Sequence, residues 1–87
     1  MPRLIWLPER GQPETPRLWF NPDHVTSVAP VLERLVDESG ERFTLSVELK
    51  LQGMPVMKNW LAACATRDEA DRAWQEFLTA LSGNPGS

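Results

Sequence analysis

The sequence predicts a small α+β domain: an antiparallel sheet of about four or five strands with one C-terminal amphipathic helix packed on one face. Three observations carry that prediction. A helical apolar stripe runs over residues 66–81, strict two-residue alternation runs over 43–51, and turn signals punctuate everything before the helix. No segment ahead of the helix offers the crossover that parallel strands need.

The helix is the most legible element. Thr66-Arg67-Asp68-Glu69 fits the capping box, in which the Thr hydroxyl accepts from the Glu69 amide and Glu69 reaches back to the Thr66 amide. Asp68, Glu69 and Asp71 fall in the first turns, where the helix dipole favours acid. Ala70, Ala73, Trp74, Phe77, Leu78 and Leu81 then share one face. Gly83 suits a left-handed C-cap and Pro85 ends the helix. The expected domain is 1–82, with 83–87 a flexible tail.

Phe43, Leu45, Val47, Leu49 and Leu51 alternate with Thr44, Ser46, Glu48 and Lys50, which predicts a strand with one buried and one wet face. Asp37-Glu38-Ser39-Gly40 before it and Gln52-Gly53-Met54-Pro55 after it read as turns, so 31–36 and 56–64 are its expected hairpin partners. The first register stays open. A four-residue loop puts Arg34 across from Phe43, and a five-residue loop puts Leu35 there, which packs better. Asn21-Pro22 initiates a turn between short strands at 17–20 and 25–28. Residues 4–7 form another strand. Residues 8–16, with three prolines and a glycine, read as a loop. The expected core is Phe43, Leu45, Val47, Leu49, Leu51, Trp60, Ala73, Trp74, Phe77, Leu78 and Leu81.

Composition narrows the function. The chain has 87 residues, nine basic and twelve acidic, with formal net charge −3 and alternating signs. A phosphate-binding surface needs clustered Lys and Arg, so the charge pattern disfavours nucleic acid as a partner. Cys64 is the only cysteine, which fits a reducing compartment. The apolar run Leu4-Ile5-Trp6-Leu7 stops at Pro8, too short for an export signal, and no run is long enough to span a bilayer. A cytoplasmic protein with no membrane partner is the expectation.

No catalytic set, cofactor motif or metal-ligand cluster can be assembled. His24 is the only histidine, beside a turn, and reads as a surface residue. Cys64, within Ala62-Ala63-Cys64-Ala65, reads as a small buried hydrophobe. The opening Met1-Pro2 followed by a strand resembles the tautomerase family, in which an amino-terminal proline acts as general base. That resemblance implies a small enzyme working through Pro2, and it ends where the family places a helix and this chain its Pro-rich segment. Residues 59–70, Asn59-Trp60-Leu61 through Thr66-Arg67-Asp68-Glu69-Ala70, resemble the strand-to-helix passage of the plant ethylene-response-factor DNA-binding domain. The basic and glycine positions of that family's reading strands have no counterpart here. The order of early strands around Asn21-Pro22-Asp23-His24-Val25 is similar to small flagellar FlbD-like proteins.

The remaining signal is aromatic. Trp60 and Trp74 belong to the expected core, whereas Trp6 and Trp19 flank the Pro-rich segment. The reading is a non-catalytic protein-interaction or assembly module, self-associating or bound to another protein, with Trp6, Trp19, Phe20 and His24 as candidate contact residues. An enzyme using Pro2 and a nucleic-acid-binding regulator are the alternatives.

Overall fold

A computed structural model describes residues 4–83. The order is β1 (Ile5–Glu9), β2 (Gln12–Phe20), a 3-10 turn (Pro22–His24), β3 (Val25–Asp37), β4 (Gly40–Leu51), β5 (Met57–Cys64) and α1 (Arg67–Ser82). The fold is α+β, with five antiparallel strands and one C-terminal helix. The strands divide into a β1–β2 hairpin and a three-stranded sheet ordered β3-β4-β5.

The helix forms as its sequence dictates. Thr66 is an extended N-cap whose hydroxyl accepts from the Glu69 amide at 3.2 Å. The Glu69 carboxylate reaches back to the amide of Ala65, one residue earlier than the capping box places it. Gly83 closes the far end at φ 68°, donating to the Ala80 carbonyl. The conformation is left-handed, so a side chain there would be strained. Ala70 and Phe77 are buried, and Ala73, Trp74, Leu78 and Leu81 are half-buried, all on the expected face.

Residues 8–16 are not a loop. β1 and β2 continue through Pro8 and Pro13 and turn at Arg10-Gly11, where Gly11 takes φ 75°. The prolines are tolerated because the hairpin has two open edges and its register slips beside Pro8. Likewise 25–28 and 31–36 are one strand: β3 runs through Pro30 because it has a neighbour on one side only. The β3–β4 register is the four-residue-loop one, with Arg34 across from Phe43. The turn chemistry decides it. Asp37 Oδ1 accepts from the Ser39 amide at 2.9 Å and from its hydroxyl at 2.6 Å, and Arg42 Nη2 approaches Asp37 Oδ2 at 2.7 Å. This local clamp outweighs the better packing that Leu35 offered.

β4 is the centre of the sheet. Leu45, Val47, Leu49 and Leu51 are buried, as their alternation requires. Ser46 breaks the expected pattern: it is 3% exposed although it points away from that face. It stands directly across from Trp60, and both are buried, so mid-β4 is covered on two sides. A bulge at Leu61 sets this register. Phe43 is only half-buried.

The core cluster joins all three layers: Leu7 and Phe20 from the hairpin, Val47, Leu49 and Leu51 from β4, and Phe77 from α1. Leu7, Val47 and Leu49 are fully enclosed. Asn59 is buried among them, its Oδ1 accepting from Arg17 Nη1 at 3.4 Å and its Nδ2 unpartnered.

Phe77→Ala should destabilise the domain by about 3–5 kcal/mol, the usual range for a buried aromatic. Leu7→Ala should cost about 2–5 kcal/mol and leave one cooperative transition. Urea unfolding followed by circular dichroism checks both. A separate early transition in Leu7→Ala would show that the hairpin is not part of the cooperative unit.

Candidate functional site

α1 packs mainly on β4 and β5 and leaves the same face of β3 only partly covered. Opposed residues of antiparallel strands share a face, so Val28, Pro30, Leu32 and Arg34 join Leu49, Val47, Leu45 and Phe43 on the helix side. Between β3 and α1 lies a cleft of about 160 Å³. Pro30, Leu32 and Leu45 form its floor, and Ala70 and Trp74 form its helical wall. Arg67 and Asp71 stand at its rim. Neither has an ion-pair partner among the described residues.

The cleft opens onto a sheet edge. β3 is 13 residues long, and among the described residues no strand pairs with its outer side. Leu32, Leu35 and Val36 on it are 37%, 48% and 68% exposed. Such an edge presents a row of unpaired backbone donors and acceptors. Its charges are held locally: Arg34 pairs with Glu41, and Lys58 Nζ of β5 reaches Glu33 Oε1 at 3.0 Å on the face away from the helix. These exposed pairs add at most about 1 kcal/mol each.

The four sequence-predicted contact residues do not form one site. Trp6 and Trp19 are directly opposed on the outward face of the hairpin, with ring centroids 6.2 Å apart and planes tilted by 49°. Trp6 is half-buried and Trp19 is 54% exposed. Their contact braces the hairpin, contributing about 0.5–1.5 kcal/mol beyond area burial. Phe20 lies on the opposite face, in the core, and is not part of that surface. His24 is exposed in the 3-10 turn. Its amide donates to Asn21 O at 2.9 Å, and its carbonyl accepts from the Gln52 amide at 2.8 Å, tying the start of β3 to the end of β4. Pro2 and residues 84–87 lie outside the described residues. Trp60, expected in the core, is buried there.

Sequence reasoning missed the cleft and the edge. The available signal was the mixed strand Val31-Leu32-Glu33-Arg34-Leu35-Val36, whose apolar residues follow no period of two. A strand that is apolar on both faces yet carries charges mid-way is not a core strand.

The electrostatics do not mark a catalytic centre. Asp37 is held at a pKa of about 2, first by the Ser39 hydroxyl and then by Arg42 and the Ser39 amide. These are the turn's own hydrogen bonds, so the shift is structural. The Cys64 thiol is pushed up by burial and by the Glu69 carboxylate, the opposite of what a thiolate nucleophile needs. Among the described residues no group of three or more His, Cys, Asp or Glu is placed to hold a metal ion. No helix there is long and apolar enough to cross a membrane.

Asp37 contributes stability above its unfolded pKa of about 3.9, and that contribution is lost as pH falls toward 2. Carboxyl NMR should therefore show Asp37 titrating near 2, and Ser39→Ala should move the midpoint up. A midpoint at the ordinary carboxylate value would remove the clamp from the account of the register. Cys64 should react with a thiol reagent at least tenfold more slowly in the folded chain than in urea, and equal rates would contradict its burial.

No family model, curated protein or solved structure matches this chain.

Proposed function

We propose that this domain is a non-catalytic protein-interaction module whose contact surface is the free side of β3 with the cleft beside it. The observation that supports this reading most directly is the combination of an open 13-residue edge with exposed Leu32, Leu35 and Val36. Backbone groups at such an edge give affinity to an added strand, and side-chain pockets beside it give selectivity. The cleft floored by Pro30 and Leu32 and walled by Trp74 is such a pocket. An enzyme working through Pro2 and a nucleic-acid-binding regulator are the alternative readings, and the alternating charge offers the second no basic stripe. We place the module in the cytoplasm, with a protein or a second copy as partner.

A photoreactive amino acid at Leu35 or Val36, irradiated in the native host, tests the proposal. β3 positions should give adducts of defined mass with a polypeptide, whether this chain or another. The exposed helix positions Arg72 and Gln75 should not. Absence of β3 adducts, with the variant folded and abundant, would sink the reading.

A further inference from the structure

We infer that the occupant of the β3 edge is β3 of a second copy, paired antiparallel about a two-fold axis at Leu32, so that two three-stranded sheets become one of six strands. This rests on the interaction-module reading and names the partner of that same surface.

The argument begins with symmetry. An antiparallel pair of identical edge strands is related by a two-fold axis normal to the sheet, so both helices lie on one side and residues of like face oppose each other. The axis must pass through a residue pairing with itself, and the charges of β3 exclude several. An axis at Glu33 opposes two carboxylates, one at Arg34 opposes two guanidinium groups, and one at Leu35 opposes Glu33 to the partner's Asp37. Like charges directly opposed destabilise a sheet.

An axis at Leu32 has none of these conflicts. It sets Leu32 against Leu32 of the partner subunit, Leu35 against the partner's Ala29, and Val36 against the partner's Val28, covering the three exposed apolar residues of the strand. The overlap runs from Ser27 to Asp37. It also answers the charge left open at the cleft. The partner's Arg34, exposed and paired within its own chain with Glu41, falls across from Pro30 on the helix side of the sheet, so the contact requires its guanidinium to turn from Glu41 toward Asp71. Pro30 and Asp71 line the same cleft, and Asp71 has no ion-pair partner among the described residues. The two-fold makes this guanidinium–carboxylate complement twice. Axes at Val31 or Pro30 avoid like charges, but they move the partner's Arg34 to Val28 or Thr26, away from the cleft. Pro30 lacks one backbone donor, so it removes at most one ladder bond per chain.

Sedimentation should give twice the 9.9 kDa chain mass, with dissociation on dilution. Leu32→Arg places like charges at the axis and should raise the dissociation constant at least 100-fold while the far-ultraviolet spectrum is retained. Because Leu32 also lines the cleft, a charge swap supplies a test that leaves it in place. Asp71→Arg should weaken the dimer at least 10-fold, and adding Arg34→Glu together with Glu41→Gln, which removes the like charge otherwise left beside position 34, should restore it to within about 3-fold of the parent. Register is read by oxidation. Leu32→Cys brings two thiols face to face at a spacing a disulfide can bridge, whereas Leu35→Cys, although more exposed, does not. Leu32→Cys should therefore cross-link faster.

A monomer at millimolar concentration overturns the inference, as does faster cross-linking at Leu35→Cys or an unweakened dimer in folded Leu32→Arg. Monomeric chain that still photo-cross-links to a different protein through β3 overturns the pairing and leaves the module reading standing. Absence of any β3 adduct removes the reading itself.

Discussion

The contact of Leu7 and Phe20 with Val47, Leu49, Leu51 and Phe77 is what makes one domain of two sheets. The β1–β2 hairpin shares no strand ladder with β3-β4-β5. An isolated two-stranded hairpin is marginal at best in water, even with a tryptophan pair on its back. It persists because Leu7, opposed to Leu18, and Phe20, opposed to Ile5, share the hairpin's inward face and are closed over by β4 and α1. A chain of this size has a thin core, so each enclosed side chain carries a large share of the stability. The enclosed residues sit at the centre of β4 and on the middle of the helix, where hairpin, sheet and helix converge.

The open face of β3 follows from the same constraint. A helix about 10 Å across covers roughly two strands spaced about 4.8 Å apart. This domain has one helix and a three-stranded sheet, and α1 is drawn over β4 and β5 because it follows β5 through a two-residue connection. The hairpin lies against β5 and fills the end of the core near Leu49 and Leu51. Nothing among the described residues is left to cover Pro30 and Leu32. The cleft is the residue of that geometry, and Trp74 is half-buried because it forms the wall where coverage stops.

Where the signal was local, the sequence was legible. Thr66 and Gly83 bound the helix as expected because caps are satisfied within a few residues. The alternation of β4 was legible because a central strand packs one face on a helix. What stayed hidden depended on partners distant in the chain. Residues 8–16 looked like a loop because prolines usually break ladders, yet a hairpin with two open edges has room for them. Phe20 looked like a contact residue until its pairing with Ile5 fixed which way it faces. Ser46 looked wet until the Leu61 bulge set Trp60 beside it. The cleft was illegible for a further reason: it is defined by which strand the helix fails to cover.

A long apolar edge strand is ordinarily a liability, and β3 carries the features that limit it: a mid-strand proline and the adjacent charges Glu33 and Arg34. If these served only to keep the edge single, the apolar residues around them would be the ones replaced by Lys or Glu. Instead Leu32, Leu35 and Val36 are exposed together. Charges at two successive positions do something more selective than repel. In the proposed pairing they disfavour axes at Glu33, Arg34 and Leu35, so the charges narrow the registers in which two copies of the edge can meet. Two-fold pairing also uses up the β3 edge, because each copy offers one β3. An assembly paired in the proposed way would close at two chains, because the residues that expose the strand to association are the ones that pairing covers.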